Sequence, residues 1–434
     1  MIKFLKKQPP VRLIAGGFLL VILLGSFLLA LPISLNEGAS IKYIDSLYTA
    51  VSAVCVTGLS SIEPGATFNL FGRIVLGVLI QVGGLGVTTI GAGLIMLVGK
   101  KMDLKSRNLV HEAMNLDSGK GVLRFLKEVF FTTLIIESIG ALICFVIFLQ
   151  EFEWQAALGY SIFHAVSAFN NAGFDIFGRG DNLIPYQSNV IFNIVTVALI
   201  ILGGIGFLVL REIRTKGIHL KKYSMHAKVV LMMTSILLVV GTLMIKFVEW
   251  NNITWLGAFF SSVTARTAGF STFSFGNFSN AGLVIMISLM FIGASPGSVG
   301  GGIKTTTFFV IIKTIIAAVK KGDVRVFKYS IPKETYKKAT VIAFIGIFVI
   351  IFSSFLLCIF EPNIAFMDLL FESVSAFATV GLSTGITSNL STGAKIVSIV
   401  VMYIGRLGPL TVASLWSFGK PSVVRYPDGD LAIG

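Results

Sequence analysis

The chain has 434 residues, 55% of them hydrophobic and only 13% charged, with a mean hydropathy of +0.88. Soluble domains carry about 25% charged residues, so the composition excludes a soluble enzyme or binding module and indicates an integral membrane protein. Three cysteines without paired spacing, of which Cys144 and Cys358 lie in apolar runs, indicate neither a disulfide framework nor a zinc site.

Met1 to Arg12 is basic and leads straight into an apolar run with no small-residue cleavage site, so it reads as the approach to a first span rather than a removable signal peptide. Uncharged or nearly uncharged runs lie at 13–35, 74–99, 129–150, 182–210, 229–245, 276–319, 339–360 and 393–419. Each approaches or exceeds the ~20 residues a helix needs to cross a bilayer. Lys and Arg gather in alternate connections, at 3–12, 100–127, 211–228 and 320–338, while the others hold few: Lys42, Arg179, Lys246 with Arg266, and Lys395. The positive-inside rule then places the basic connections and both termini in the cytoplasm. The net charge of +14 becomes a topology signal, and no nucleic-acid partner is expected.

The base-poor connections carry a recurring pattern. Asp45 to Ala53 leads into Val54-Cys55-Val56-Thr57-Gly58-Leu59. Ser161 to Phe169 leads into Asn170-Asn171-Ala172-Gly173-Phe174. Trp255 to Val263 leads into Thr264-Ala265-Arg266-Thr267-Ala268-Gly269-Phe270, and Phe366 to Ala376 into Phe377-Ala378-Thr379-Val380-Gly381-Leu382. The glycines fall at 58, 173, 269 and 381, a repeat of roughly a hundred residues. An apolar run of about eleven residues, made helical, spans only ~16 Å, too short to cross. Each unit therefore reads as span, re-entrant half-helix, extended segment, span. The expected fold is an all-α integral membrane protein of four fused repeats around one pore, with eight transmembrane helices and four re-entrant loops. The repeats take residues 1–99, 100–211, 212–320 and 321–420, with a cytoplasmic tail at 421–434.

Non-helical backbone at membrane depth is tolerated where it lines a water-filled path. Four Thr-Val-Gly-Tyr-Gly loops do this in potassium channels, their carbonyls replacing the hydration shell of the ion. The half-helices would aim their partly negative C-terminal ends at the centre, which favours a cation. The expected filter is Val56, Thr57, Gly58; Asn171, Ala172, Gly173; Thr267, Ala268, Gly269; and Thr379, Val380, Gly381, with K⁺ as its only metal. Only the fourth copy is Thr-Val-Gly, so fewer well-formed carbonyl layers and looser discrimination of K⁺ from Na⁺ are expected. The plainer reading, small-residue helix packing of the kind membranes favour, has to explain four copies in the same place.

Several further residues stand out. Phe291 to Thr305 packs five glycines and a proline into an apolar stretch, through which no helix runs unbroken. A nucleotide-binding P-loop is rejected, because Ile303 separates Gly302 from Lys304 and no strand precedes it. The stretch reads as an obstruction below the filter, built on Gly293, Gly297, Gly300, Gly301 and Gly302. Its Lys304 either repels cations or pairs with a carboxylate; a passive kink is the alternative. Arg406, alone in Met402 to Pro409, raises an electrostatic barrier, anchors that loop, or snorkels to the cytoplasmic face. Glu137 is alone in its span, as a structural ion pair, a snorkelling carboxylate or a transport residue, with no partner visible in the sequence. His164 reads as a packed neutral imidazole, and His111, His219 and His226 lie in basic loops without metal spacing. Asn170 and Asn171 read as braces for the second filter segment. Gly83-Gly84-x-Gly86 and Gly203-Gly204-x-Gly206 are explained by close helix packing. No catalytic constellation with a credible setting appears, so the protein is not expected to be an enzyme.

These residues, with Ile404-Gly405-Arg406-Leu407-Gly408-Pro409 and the terminal Arg425-Tyr426-Pro427-Asp428-Gly429, resemble the Trk/Ktr/HKT superfamily of potassium transporters over essentially the whole chain. The likeness is nearest to the Ktr-type bacterial membrane subunit. The resemblance implies one filter glycine per repeat, at Gly58, Gly173, Gly269 and Gly381, with glycine at the first position going with K⁺ preference. It maps the family's broken third-repeat helix to Gly293–Thr305 and its last-span arginine to Arg406. It also implies a bacterial plasma-membrane homodimer, surrounded by lipid, on a cytosolic ring of RCK-type nucleotide-binding regulators of the KtrA/KtrC kind. No cofactor resides in the chain itself; K⁺ is the transported ion, and Na⁺ is an activator in many such relatives. The function implied is K⁺ uptake through a gated filter. Coupled K⁺/Na⁺ or K⁺/H⁺ symport and a non-conducting subunit of a larger complex remain as alternatives.

Overall fold

A computed structural model describes residues 10–87, 89–92 and 121–414. The N-terminal lysines, the basic segment around His111 and the Arg425–Gly429 tail lie outside the described residues. Four long helices are long and apolar enough to cross a membrane: α1 (Pro10–Ala30), α4 (Val122–Phe148), α8 (Met225–Val248) and α12 (Lys333–Phe360). Their outward faces are apolar and exposed, with Leu20 59%, Leu142 68%, Val239 59% and Phe348 67% accessible. Such faces are stable only against lipid.

Each long helix runs into a short one: α2 (Tyr43–Cys55), α5 (Trp154–Phe169), α9 (Trp255–Thr264) and α13 (Phe366–Ala378). These are 10 to 16 residues long. In the first and fourth repeats they reach two residues beyond the end of the apolar run read from sequence, because the helix continues until a left-handed residue stops it, at Val56 (φ 56°) and Thr379 (φ 51°). An extended segment follows, then a second helix: α3 (Leu70–Leu85), α6 (Val190–Gly204), α10 (Asn280–Phe291) and α14 (Thr392–Leu407). All four second helices start on a capping side chain. Asn69, Asn189, Ser279 and Ser391 accept from the N–H of Gly72, Phe192, Gly282 and Ala394 at 3.0–3.3 Å, each cap contributing about 1 kcal/mol.

The second helices differ from the continuous spans the sequence suggests. α3 stops at Gly86 (φ 87°), α6 gives way at Gly206 (φ 93°) to α7 (Phe207–Lys216), and α14 breaks at Gly408 (φ 87°) before α15 (Pro409–Ser414). The α6–α7 pair is bent by 103°. In the third repeat the break is the longest, from Ile292 to Lys304, before α11 (Thr305–Val319). Among the described residues, four helices, or five counting the bent pair, are thus long and apolar enough to cross a membrane. Hydropathy registers apolar continuity and is blind to φ, so the runs of the first, second and fourth repeats read as unbroken, while the glycines and proline of the third announce its break. Strand is confined, among the described residues, to the hairpin β1 (Arg325–Val326) and β2 (Tyr329–Ser330) between α11 and α12.

Packing closes these elements into a ring. Each short helix lies against the long helix before it, in the pairs α1–α2, α4–α5, α8–α9 and α12–α13. Each second helix also packs on the short helix of the next unit: α3 on α5, α6 on α9, α10 on α13, and α14 back on α2. The last contact joins the end of the chain to its beginning. A buried ion pair reinforces it, Lys395 Nζ on α14 donating to Asp45 Oδ1 on α2 at 2.7 Å.

Candidate functional site

The C-terminal ends of the short helices deliver four triplets to the centre of the ring. In each, the first residue has positive φ (Val56 56°, Asn171 57°, Thr267 73°, Thr379 51°) and so does the glycine (Gly58 97°, Gly173 69°, Gly269 81°, Gly381 94°). Strain of that kind in Val and Thr persists only where the surroundings enforce it. The enforcing bonds are alike: the N–H of Thr57, Ala172, Ala268 and Val380 donates to the carbonyl of Ser52, Ser167, Thr264 and Ser375 at 2.7–2.9 Å. The same four hydroxyl side chains brace the glycine end. Ser52 and Ser375 accept from Gly58 N and Gly381 N at 3.0 Å, and Ser167 and Thr264 donate to Phe174 O and Phe270 O at 2.7 Å.

The glycines adjoin one another in sequence order and close on themselves. A methyl group built on Gly58 would lie 2.6 Å from Ala172 O, on Gly173 2.8 Å from Ala268 O, and on Gly269 2.5 Å from Val380 O; on Gly381 it would strike Thr57 O. The carbonyl before each glycine therefore occupies the space where its neighbour's side chain would be. Outside this ring opens a cavity of about 530 Å³ lined by all four glycines, Glu63, Asp175, Asn182, Ser383 and Thr387. Burial, and then the charge of Asp175, pushes the Glu63 carboxyl up to about 7; burial pushes Asp175 up to about 6.

On the other side of the ring lies the Ile292–Lys304 loop. A side chain on Gly300 would strike Thr267 Oγ1, and one on Gly301 would strike Thr379 Oγ1. The loop thus presses against the first residues of the third and fourth triplets. It is tied to the α6–α7 bend: Ser295 N donates to Gly204 O at 3.0 Å, Val299 N to Gly203 O at 3.4 Å, and Phe207 N to Gly297 O at 3.0 Å. A Cβ on Gly206 would lie 2.7 Å from Pro296 O, so the second-repeat glycines serve as a seat for this loop as well as a helix contact. Gly293 N donates to Ile303 O at 2.8 Å, closing the base of the loop. Lys304 has no carboxylate partner among the described residues; its Nζ donates to the loop's own Gly300 O at 2.7 Å and Gly301 O at 3.3 Å. Arg406 does not snorkel. Its guanidinium donates to Val299 O in the loop and, at the end of α3, to Gly83 O and, at 3.3 Å, Gly84 O.

The sequence matches the TrkH family, described as cation transport protein, over residues 18–423. The chain belongs to that family. It is similar to the Ktr system potassium uptake protein B of Bacillus subtilis, at 40% identity covering 100% of this chain and 98% of the relative. It is likewise similar to the potassium/sodium uptake protein NtpJ of Enterococcus hirae, at 38% identity over 99% and 98% of the two chains. The Ktr system potassium uptake protein B of Vibrio alginolyticus matches at 37% over 98% and 94%. Among solved structures, the potassium transporter TrkH of Vibrio parahaemolyticus superposes with a TM-score of 0.71 over 93% of this chain and 85% of that one. At 18% identity that likeness speaks for the fold.

Within this TrkH-family ring, other residues singled out in the sequence find partners. Glu137 accepts from Asn170 and Gln81. His164 is buried, with Nε2 2.9 Å from Thr196 Oγ1. Asn171 meets Thr267 Oγ1 at 3.3 Å, and in the amide orientation that satisfies both its ends its NH₂ donates to Ala168 O and Ile200 O. Arg266 is buried against Thr234, with Nη2 3.3 Å from its Oγ1. The four bracing hydroxyls went unnoticed in the sequence. Their signal was a Ser or Thr six residues before the glycine in three repeats and five before it in the third.

Proposed function

We propose that this TrkH-family protein is the membrane subunit of a potassium uptake system, passing K⁺ down its electrochemical gradient through the four triplets. The observation that carries the reading is the closed ring, in which the carbonyls of Thr57, Ala172, Ala268 and Val380 each fill the space beside the next glycine. Carbonyls at such positions can replace the hydration shell of a dehydrated cation, and the adjoining helix C-termini add partial negative charge. The names of its relatives, potassium uptake proteins, support K⁺ as the ion.

In this reading eight segments cross the membrane, the broken second helices counting once each, and the short helices are re-entrant. The Ile292–Lys304 loop, held by Lys304 and Arg406, is the gate beneath the filter. The basic connections and both termini face the cytoplasm, where a separate nucleotide-binding regulator engages a homodimer; relatives named as parts of a "Ktr system" favour such a second component.

Gly269→Ser tests the filter. A side chain at φ 81° costs roughly 1–2 kcal/mol in backbone strain, and its Cβ falls against Val380 O. Rubidium uptake into proteoliposomes should fall at least tenfold, with a changed K⁺/Na⁺ preference in what remains. Unaltered uptake and preference would refute the filter. A second reading, coupled K⁺/Na⁺ transport, is favoured by the name of the Enterococcus hirae relative. It requires that a Na⁺ gradient alone concentrate rubidium above its equilibrium level.

A further inference from the structure

Immediately before each triplet stands one joint residue: Cys55, Asn170, Arg266 or Ala378. Two of these carry polar side chains that reach away from the ring into the bundle. Arg266 reaches Thr234 on α8. Asn170 enters a closed triangle with Gln81 on α3 and Glu137 on α4.

Asn170 Nδ2 donates to Gln81 Oε1 at 2.7 Å, to Glu137 Oε1 at 3.0 Å and to Val166 O, one turn back in its own helix, at 2.9 Å. Gln81 Nε2 reaches Glu137 Oε2 at 3.4 Å. Among the described residues no cation pairs with Glu137. The two carboxyl oxygens instead face two amide NH₂ groups, one from Asn170 and one from Gln81. Gly84 completes the arrangement: a Cβ there would collide with the Asn170 amide, so the amide lies flat on α3.

We propose that Glu137 is a positioning residue for the filter. Through Asn170 it fixes the joint between α5 and Asn171-Ala172-Gly173, and so the place at which that quarter's carbonyls face the axis. The inference rests on the filter reading above. Its physical content is that three bonds from one buried amide NH₂, strengthened by the low local dielectric, fix the Asn170 side chain although its Oδ1 has no partner among the described residues, while a site whose supports are loose by about 1 Å loses discrimination before it loses its fold. Val166 O alone would leave the Asn170 amide free to swing about its own helix end.

The test measures the ratio of rubidium to sodium flux, rather than total flux or stability, in proteoliposomes containing the full-length protein. Variants are E137A, E137Q, N170A, the double variant E137A/N170A, and Gly173→Ser. E137A should lower the ratio about tenfold, the scale set by leaving a buried donor without its acceptor. E137Q should lower it less, since its amide oxygen can still accept from Asn170 while its NH₂ opposes that of Gln81. The double variant should match N170A, because Glu137 acts through the Asn170 amide and has nothing left to hold once that amide is gone. Should E137A not reach the membrane, Gln81→Ala opens the same triangle and must shift the ratio in the same direction. A changed ratio in Gly173→Ser with an unchanged one in E137A, or in Gln81→Ala, overturns this inference and leaves the filter standing. Multiplying effects of E137A and N170A overturn it too. An unchanged ratio in Gly173→Ser overturns the filter reading itself.

Discussion

Arg406 joins three parts of the molecule that are far apart in sequence, and its removal has a calculable effect. Of its bonds, those to Gly83 O and Gly84 O anchor the guanidinium on α3, and the bond to Val299 O holds the loop. Replacing Arg406 by Gln takes away the one link between the loop and this anchor. A hydrogen bond to a charged group contributes ~1.5–3 kcal/mol. At 1.4 kcal/mol per factor of ten, the ratio of loop-displaced to loop-seated protein should rise roughly ten- to a hundredfold. The seat at Gly203, Gly204 and Phe207 keeps its own three backbone bonds, so the increase stays bounded. Lysine keeps the charge but lacks the fork needed to reach both Val299 O and Gly83 O, and should fall between arginine and glutamine. The assay is rubidium flux in proteoliposomes of the membrane subunit alone, after size-exclusion chromatography has established that the variant is folded. Flux in R406Q equal to or below that of the unmodified protein, with the fold intact, would show that the clamp does not hold a gate shut.

Two more predictions concern the cavity lined by the four glycines and the ring closure. With Glu63 pushed up to about 7 and Asp175 to about 6, both carboxyls are ionised in alkaline medium and protonate in turn as the pH on the cavity's side of the membrane falls through 7 and 6. Uptake at low K⁺ should decline over that window as the cavity loses its attraction for cations, and Glu63→Gln should flatten the upper part of the decline; an identical pH profile in the variant would rule this out. Breaking the buried Asp45–Lys395 pair, whose side chains are each 11% exposed, leaves an uncompensated charge that costs about 3–5 kcal/mol. Asp45→Ala should therefore melt well below the unmodified protein in detergent, and Asp45→Ala with Lys395→Met should recover part of the loss. No recovery would mean that the lost Ser61 bond to Asp45 dominates.

What could be read from the sequence follows from how locally each feature is written. The four triplets announce themselves because glycine followed by Leu or Phe recurs after a short apolar run, and the structure sets those glycines side by side. Arg406, Glu137 and Asn170 stood out as polar residues in apolar surroundings. Their partners did not, since backbone carbonyls carry no letter in a sequence and Gln81 lies 89 positions from the Asn170 it accepts from. Lys304 illustrates the same limit: a carboxylate was sought for it, whereas the carbonyls of its own loop lie closer. The breaks at Gly86 and Gly206 were read as packing glycines because helix contact and left-handed φ both call for the same residue. Only three-dimensional context separates the two.

The loop of the third quarter presses on the third and fourth triplets and is seated on the second quarter, and among the described residues no other quarter carries an equivalent. In an assembly of identical subunits, any such insertion would be written into every copy, and four of them would meet at the axis. Joining the quarters into one polypeptide lifts that constraint, so that a lone latch can evolve, be loosened by a single substitution, and be worked by a signal arriving from one side.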